Sequence, residues 1–171
     1  RPGSFTPGWG DLRDGYNRPE WRSGQVIWCG FDHGTVGGTA LATMGIIDYF
    51  RLPKRAYYWY KQAYKEGQRP PVEPVWPQSG TPARLKLTAG TTTIAANDGT
   101  DDAQIIVTVE DANGTHISNN VPVKLQVVSG PGEFPTGTSI QFMPQSSDQS
   151  SDISIRDGQA AIAFRSYYGG K

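Results

Sequence analysis

The chain has very few of the side chains from which disulfide frameworks and metal sites are built. Its 171 residues include one cysteine, Cys29, and two histidines. A single cysteine excludes an internal disulfide and a structural zinc site of the cysteine type. Because Cys29 lies inside an apolar run, we expect a small buried hydrophobic side chain and not a reactive thiol. We therefore predict no metal ion and no cofactor.

A net charge and long apolar runs are also absent. Lysine plus arginine and aspartate plus glutamate each number 16, so the formal net charge is zero. No overall field therefore favours nucleic acid or an anionic membrane. No apolar run approaches the ~20 residues of a membrane-spanning helix, and residues 1–10 lack the pattern of a signal peptide. We expect neither a nucleic acid nor a membrane as a partner.

The chain is organised around residues 24–67, whose pattern predicts one strand, a glycine-rich loop and one helix. Residues 25–31 are apolar on both alternating faces, which is typical of a strand covered on both sides in an α/β fold. Pro53 suits the first turn of a helix, and Gly67 suits its end. One strand and one helix cannot cover all of their apolar surface, so we expect this unit to belong to a larger fold. The apolar helix positions are Ala56, Tyr60, Ala63 and Tyr64.

Two irregular stretches flank this unit. Residues 1–23 are punctuated by glycine and proline and show no sustained period, which predicts a long loop. The aromatic side chains of this loop either line a sugar site or pin the loop to the rest of the protein. Residues 68–82 are rich in proline, which favours an extended connector. We place a domain boundary in that connector.

From residue 83 onwards, short β-type runs alternate with turn signals. Ile105, Val107 and Val109 share one face of a run, and the turns carry Asn-Gly, Asp-Gly and Gly-Pro-Gly sequences. This spacing predicts an antiparallel immunoglobulin-like sandwich. Because the chain ends just after a strand, we expect the sandwich to lack a closing strand. His116 lies in a polar turn, where we expect it to be solvated. The predicted strands cover residues 83–88, 104–110, 121–128, 139–142, 153–155 and 160–166.

Two motifs in the first part of the chain resemble a known family. They are Trp28-Cys-Gly-Phe-Asp32-His33 and Met44-Gly-Ile-Ile-Asp48, and the second is followed by Arg-Leu-Pro-Lys and a Tyr-Tyr pair. Residues 24–64 thereby resemble the end of the catalytic barrel in family 2 glycoside hydrolases, the β-galactosidase and β-glucuronidase family. In that family this stretch is the eighth strand and eighth helix of a (β/α)8 TIM barrel, and a β-sandwich domain often follows.

The resemblance implies a division into three parts and a function. Residues 1–67 would be the C-terminal end of the TIM-barrel catalytic domain, residues 68–82 a Pro-rich linker, and residues 83–171 an immunoglobulin-like β-sandwich similar to the accessory domain of bacterial members. The chain would be the C-terminal portion of a retaining glycoside hydrolase that removes terminal β-linked sugars, with galactose as the expected sugar. Its partners would be a carbohydrate substrate and the rest of the parent glycosidase, in a periplasmic or secreted location.

The resemblance also limits the chemistry expected of this chain. The two catalytic glutamates of the family are held on earlier barrel strands, so we assign no catalytic residue here and expect the chain alone to be inactive. Met44 stands where some β-galactosidases carry an asparagine that helps to bind sodium, so no metal site is expected there. His33 replaces a frequent tyrosine. Asp48 is expected to cap the chain or to pair with Arg51 or Lys54.

Three residues are predicted to bind the substrate: Trp28, Asp32 and His33. An indole at the end of a barrel strand offers a flat apolar face to a pyranose, and the resemblance implies that Trp28 lines the site of the terminal sugar. The alternative is a tryptophan in the core. Asp32 follows the strand end, where barrel active sites are built, and is expected to accept a hydrogen bond either from a sugar hydroxyl or from a loop amide. His33 is expected either to form a hydrogen bond with a sugar hydroxyl or to pack against neighbouring side chains.

A second class of function is open, namely a non-catalytic carbohydrate-binding or structural immunoglobulin-like module. In that case the sandwich would be the functional part, and aromatic side chains exposed on one of its faces would favour sugar binding. Residues 83–171 contain no tryptophan and few other aromatic residues. The composition therefore disfavours this alternative.

Overall fold

The computed structural model describes residues 29–33, 44–66, 75–95, 100–144 and 153–166. The chain divides into two compact units, Arg1–Trp76 and Pro77–Lys171. The division between them falls inside the Pro-rich stretch 68–82. Within the described ranges, no helix has the length and apolar character needed to cross a membrane.

The first unit is centred on Ile47, which joins three short segments of chain. Ile47 forms a parallel bridge with Phe31 and an antiparallel bridge with Pro53. Its backbone amide donates to the carbonyl of Gly30 at 3.0 Å, and its carbonyl accepts from the amide of Asp32 at 2.9 Å. Because residues 30–32 lie beside residue 47, the two motifs that carry the family resemblance are in direct backbone contact.

One helix, α1 (Arg55–Glu66), follows these segments. A helix was predicted here and is present, but it begins two residues after Pro53, which bridges to Ile47 and does not lie in the first turn. The predicted end at Gly67 lies outside the described residues. Trp59 and Tyr60 are each 5% exposed and form a small core, against which Ile46 and Trp76 pack. This core attaches the helix to the segment that contains Ile47.

The predicted strand at residues 25–31 is described only at its end, because residues 25–28 lie outside the described residues. Its side chains are less covered than the sequence suggested. Phe31 is 44% exposed, and Cys29 is only partly buried. Within the described part of the first unit, no second layer covers Phe31, and a TIM-barrel unit is not shown.

The second unit consists of two β-sheets, consistent with a β-sandwich. The four-stranded sheet has the order β1-β2-β7-β4, and the three-stranded sheet has the order β3-β5-β6. Six of the seven strands found in the described part of this unit were predicted, within a few residues. The strands are β1 (Arg84–Ala89), β2 (Asp102–Glu110), β3 (Val123–Gln126), β4 (Gly132–Glu133), β5 (Ser139–Pro144), β6 (Ser154–Ile155) and β7 (Gln159–Ser166).

The sandwich is not antiparallel throughout, which corrects the sequence prediction. β5 and β6 pair in parallel through Met143–Ser154 and Pro144–Ile155. The prediction failed because alternation along a strand indicates which face is buried, and does not indicate the direction in which the strand pairs with its neighbour. The unpredicted strand β4 has only two residues and follows the Gly-Pro-Gly turn, so it carries no period that could be detected.

The core of the second unit comes from the alternating apolar residues of facing strands. Val107 and Val109 of β2, Phe142 of β5 and Ile155 of β6 are fully buried. On β3, Val123 is buried whereas Lys124 is exposed, as the alternation predicted. Burying side chains of this size contributes about 1.5–3 kcal/mol each.

β1 forms one edge of the four-stranded sheet and is less well covered. Leu85 and Leu87 pair with Val109 and Val107, so they lie on the same face as these buried valines. They are nevertheless 48% and 58% exposed. Within the described residues, the three-stranded sheet therefore does not extend over β1. The expected absence of a closing strand concerns residues beyond Ser166, which lie outside the described ranges.

His116 is not simply solvated, which corrects a second expectation. The side chain is partly buried, and its Nε2 lies 2.8 Å from the carbonyl oxygen of Asp157. Because a carbonyl only accepts, Nε2 carries the proton in this bond. Asp157 and Gly158 have φ values of 45° and 73°, so the predicted Asp-Gly turn is tight and brings its carbonyl to His116.

Candidate functional site

A buried carboxylate, Asp32, connects the three segments of the first unit. Its side chain has no exposed surface, and its Oδ1 accepts from the Lys54 ammonium at 2.5 Å. The same oxygen accepts from the backbone amide of Gly45 at 2.9 Å. One oxygen atom of Asp32 therefore contacts both the segment at 44–48 and the residue just before α1. We call Asp32, Gly45 and Lys54 the Asp32 cluster.

Position 45 requires glycine because the backbone of the strand end approaches it closely. A Cβ at this position would overlap the amide nitrogen of Asp32 and the carbonyl carbon of Phe31, and would lie 2.7 Å from the carbonyl oxygen of Ile47. All three neighbours are backbone atoms that are already hydrogen bonded or bridged. No side chain can be accommodated there without separating the two segments.

A tight turn follows the cluster and is organised by Asp48. The Asp48 carboxylate accepts from the amide of Leu52 at 2.8 Å, and the Asp48 amide donates to the carbonyl of Leu52 at 2.9 Å. Arg51 has a positive φ of 71°, which is unfavourable for a residue with a Cβ. Its guanidinium lies 4.3 Å from the centre of the Phe31 ring. This contact links the turn to the strand end and offsets part of the backbone strain.

The structure places the three predicted substrate-binding residues differently. Trp28 lies outside the described residues. His33 is exposed, as a residue that contacts a ligand must be. Asp32 is buried and accepts from a loop amide, which is one of the two alternatives that its position allowed. A contact between Asp32 and a sugar hydroxyl stays a prediction.

Lys54 and Gly45 are the residues that sequence reasoning missed. We expected Asp48 either to cap or to pair with Arg51 or Lys54. Its carboxylate accepts from the Leu52 amide, as a capping side chain does, and Lys54 pairs with Asp32, 22 residues earlier in the chain. The available signal was a carboxylate at the end of an apolar strand, which needs a partner if it is buried. Lys54 is a cation directly before the helix, whose core residues pack against Ile46.

The described residues contain no group of three or more His, Cys, Asp and Glu side chains that could hold a metal ion. Cys29 is partly buried, and its thiol donates to the carbonyl of Phe31 at 3.0 Å. Two polar side chains are adjacent at this site: the exposed imidazole of His33 and the buried carboxylate of Asp32, which is paired with Lys54. Such an arrangement can bind and orient a polar ligand.

Comparison with known proteins yields one relevant similarity. A β-galactosidase from Thermoanaerobacterium thermosulfurigenes is 40% identical to the chain over 57 residues, which are 31% of this chain and 8% of that protein. The chain thus spans less than a tenth of the length of this relative. No protein-family model matches the chain, and no solved structure matches it. The similarity suggests a relationship to the glycoside hydrolases.

Proposed function

We propose that this chain is the C-terminal portion of a retaining β-glycosidase, with a β-galactoside as the substrate. The observation that carries the proposal is the 40% identity to a β-galactosidase over 57 residues. The order of elements is in keeping with it. A bridged segment at Phe31 and a helix come first, and two β-sheets consistent with a β-sandwich follow.

The proposal assigns a place in the parent enzyme to each part. Residues 1–67 would supply the last strand and helix of a (β/α)8 barrel, and residues 83–171 an immunoglobulin-like accessory domain. Exposure of Phe31 supports the first assignment, since a barrel strand needs neighbouring strands and helices to cover it. The two-sheet arrangement of β1 to β7 supports the second assignment.

The residues of this chain would bind and orient the sugar and leave bond cleavage to other parts of the enzyme. Retaining hydrolysis requires two carboxyl groups about 5–5.5 Å apart, one as nucleophile and one as general acid. Asp32 suits neither role, because its side chain has no exposed surface and its Oδ1 already accepts from Lys54 and Gly45 inside the protein. The catalytic pair would therefore come from glutamates on other barrel strands.

Two side chains at the strand end are proposed to contact the substrate. The Trp28 indole would stack on the apolar C–H face of the terminal sugar. The exposed His33 imidazole would bond to a sugar hydroxyl. Asp32 lies between them in sequence and, through its cluster, would hold the backbone that carries both side chains.

The alternative of a carbohydrate-binding sandwich has less support. Sugar-binding modules of this kind need an exposed aromatic face. In the described part of the second unit, Phe134 is 6% exposed and Phe142 is fully buried. Phe164 packs edge-on against Phe134, with ring centres 5.3 Å apart. Within that part, these aromatic side chains serve the core and offer no stacking platform.

The proposed function predicts that hydrolysis needs more than these 171 residues. We expect the chain alone to release no nitrophenol from nitrophenyl β-galactoside, β-glucuronide, β-mannoside or β-glucoside, because the acid and the nucleophile are missing. The full-length protein should cleave at least one of the four. Absorbance assays on both purified proteins make the comparison. Turnover by the 171-residue chain that disappears in an Asp32→Asn variant would overturn the proposal and make Asp32 a catalytic residue.

A further inference from the structure

We propose that Lys54 is a positioning residue for substrate binding, which acts by holding Asp32 and thereby the neighbouring residue His33. This inference rests on the proposed function and adds to it a residue outside the predicted site. The observation behind it is the buried contact between the Lys54 ammonium and the Asp32 carboxylate, 2.5 Å long.

The geometry gives Lys54 control over the orientation of the strand end. Asp32 is fixed through its side chain by Lys54 and Gly45, and through its amide, which donates to the carbonyl of Ile47 at 2.9 Å. The next residue, His33, is exposed and follows this anchored residue directly in the chain. We therefore expect a change in the length or charge at position 54 to shift the backbone at His33.

The backbone of Lys54 is fixed on both sides by hydrogen bonds. Its amide donates to the carbonyl of Ile46 at 3.0 Å, and its carbonyl accepts from the amide of Tyr57 at 3.0 Å in the first turn of α1. Its side chain is 15% exposed. The helix is anchored in turn by Trp59 and Tyr60. Lys54 thus connects the packed helix to the carboxylate of Asp32.

Stability alone does not account for an ion pair at this place. Removing two opposite charges from water is costly, and apolar side chains of similar volume often stabilise a protein as well or better. A directional pair is useful where a neighbouring side chain must be held in one orientation. An exposed histidine lies one residue away, and the family motif that contains Trp28 ends there.

The test compares variants of the full-length protein on a nitrophenyl β-galactoside. Lys54→Met keeps the length of the side chain and removes the charge. We expect its kcat/KM to fall on the order of tenfold to a hundredfold, mostly through KM, because the sugar-binding side chain of His33 is displaced. The double variant Asp32→Asn with Lys54→Met leaves no charge buried, so its melting temperature should recover while KM stays high.

A matched control separates positioning from a general loss of stability. Val107→Ala weakens the core of the second unit and changes no residue of the first unit, so we expect a lower melting temperature with an unchanged KM. The inference is overturned if KM is unchanged in the double variant, if KM recovers together with its melting temperature, or if Val107→Ala raises KM equally. If the unmodified full-length protein hydrolyses none of the nitrophenyl glycosides, the proposed function fails and takes this inference with it.

Discussion

Replacing Gly45 by alanine is expected to destabilise the first unit by more than about 3 kcal/mol, which is in the range of the most damaging single substitutions. The added Cβ would overlap backbone atoms of Phe31 and Asp32. Backbone atoms in a bridged segment cannot move aside as the end of a flexible side chain can. The substitution therefore forces residues 44–48 away from residues 30–32. The hydrogen bond from the Gly45 amide to the Asp32 carboxylate and the bridge between Phe31 and Ile47 are then lost.

Urea unfolding of the 171-residue chain, followed by tryptophan fluorescence, measures this effect. All five tryptophans lie within residues 1–76, so the signal reports on the first unit. Gly30→Ala is the matched control, since a Cβ at position 30 has nothing within 4 Å. We expect its urea midpoint to stay close to that of the unmodified chain. Equal midpoints for Gly45→Ala and Gly30→Ala would contradict the close approach at Gly45.

The second large effect is expected at Gly158, in the turn that joins β6 to β7. Its φ is 73°, and an added Cβ would overlap the carbonyl oxygen of Ile117. Gly158→Ala therefore combines backbone strain with a collision against another part of the main chain. We expect a loss of about 3 kcal/mol or more in the second unit, together with loss of the nearby contact between His116 and Asp157.

Far-ultraviolet circular dichroism follows this unfolding, because the second unit contains no tryptophan. Gly130→Ala is the control for strain alone, since Gly130 has a φ of 104° and an open surrounding. It should cost about 1–2 kcal/mol. If both variants were destabilised equally, strain would account for the whole effect, and the collision with Ile117 would be refuted.

The fold of the second unit was largely predictable because its strands alternate. In β2, the shared face of Val107 and Val109 is the buried one. In β3, Val123 and Lys124 point to opposite sides. Such a period depends only on local pleating and burial. The parallel pairing of β5 with β6 concerns the relative direction of the two strands, which a period of two residues does not encode.

The contacts inside the Asp32 cluster were not predictable from the sequence. The motif around Asp32 and His33 indicated a substrate-binding segment, and that role stays a prediction. The pairing of Asp32 with Lys54 joins residues 22 positions apart, and no helical or strand spacing connects them. The need for glycine at position 45 likewise arises from a neighbouring backbone segment. Contacts of this kind follow from the tertiary structure alone.

The kinetic effect of Trp28→Ala in the full-length protein tests the central claim most directly. If this chain supplies the sugar-binding wall of a β-glycosidase, loss of the indole removes the stacking surface for the terminal sugar. KM for a nitrophenyl β-galactoside should then rise and kcat should fall, while Trp28→Phe, which keeps an aromatic face, should retain much of the activity. A normally folded Trp28→Ala protein with unchanged kcat and KM would contradict the account.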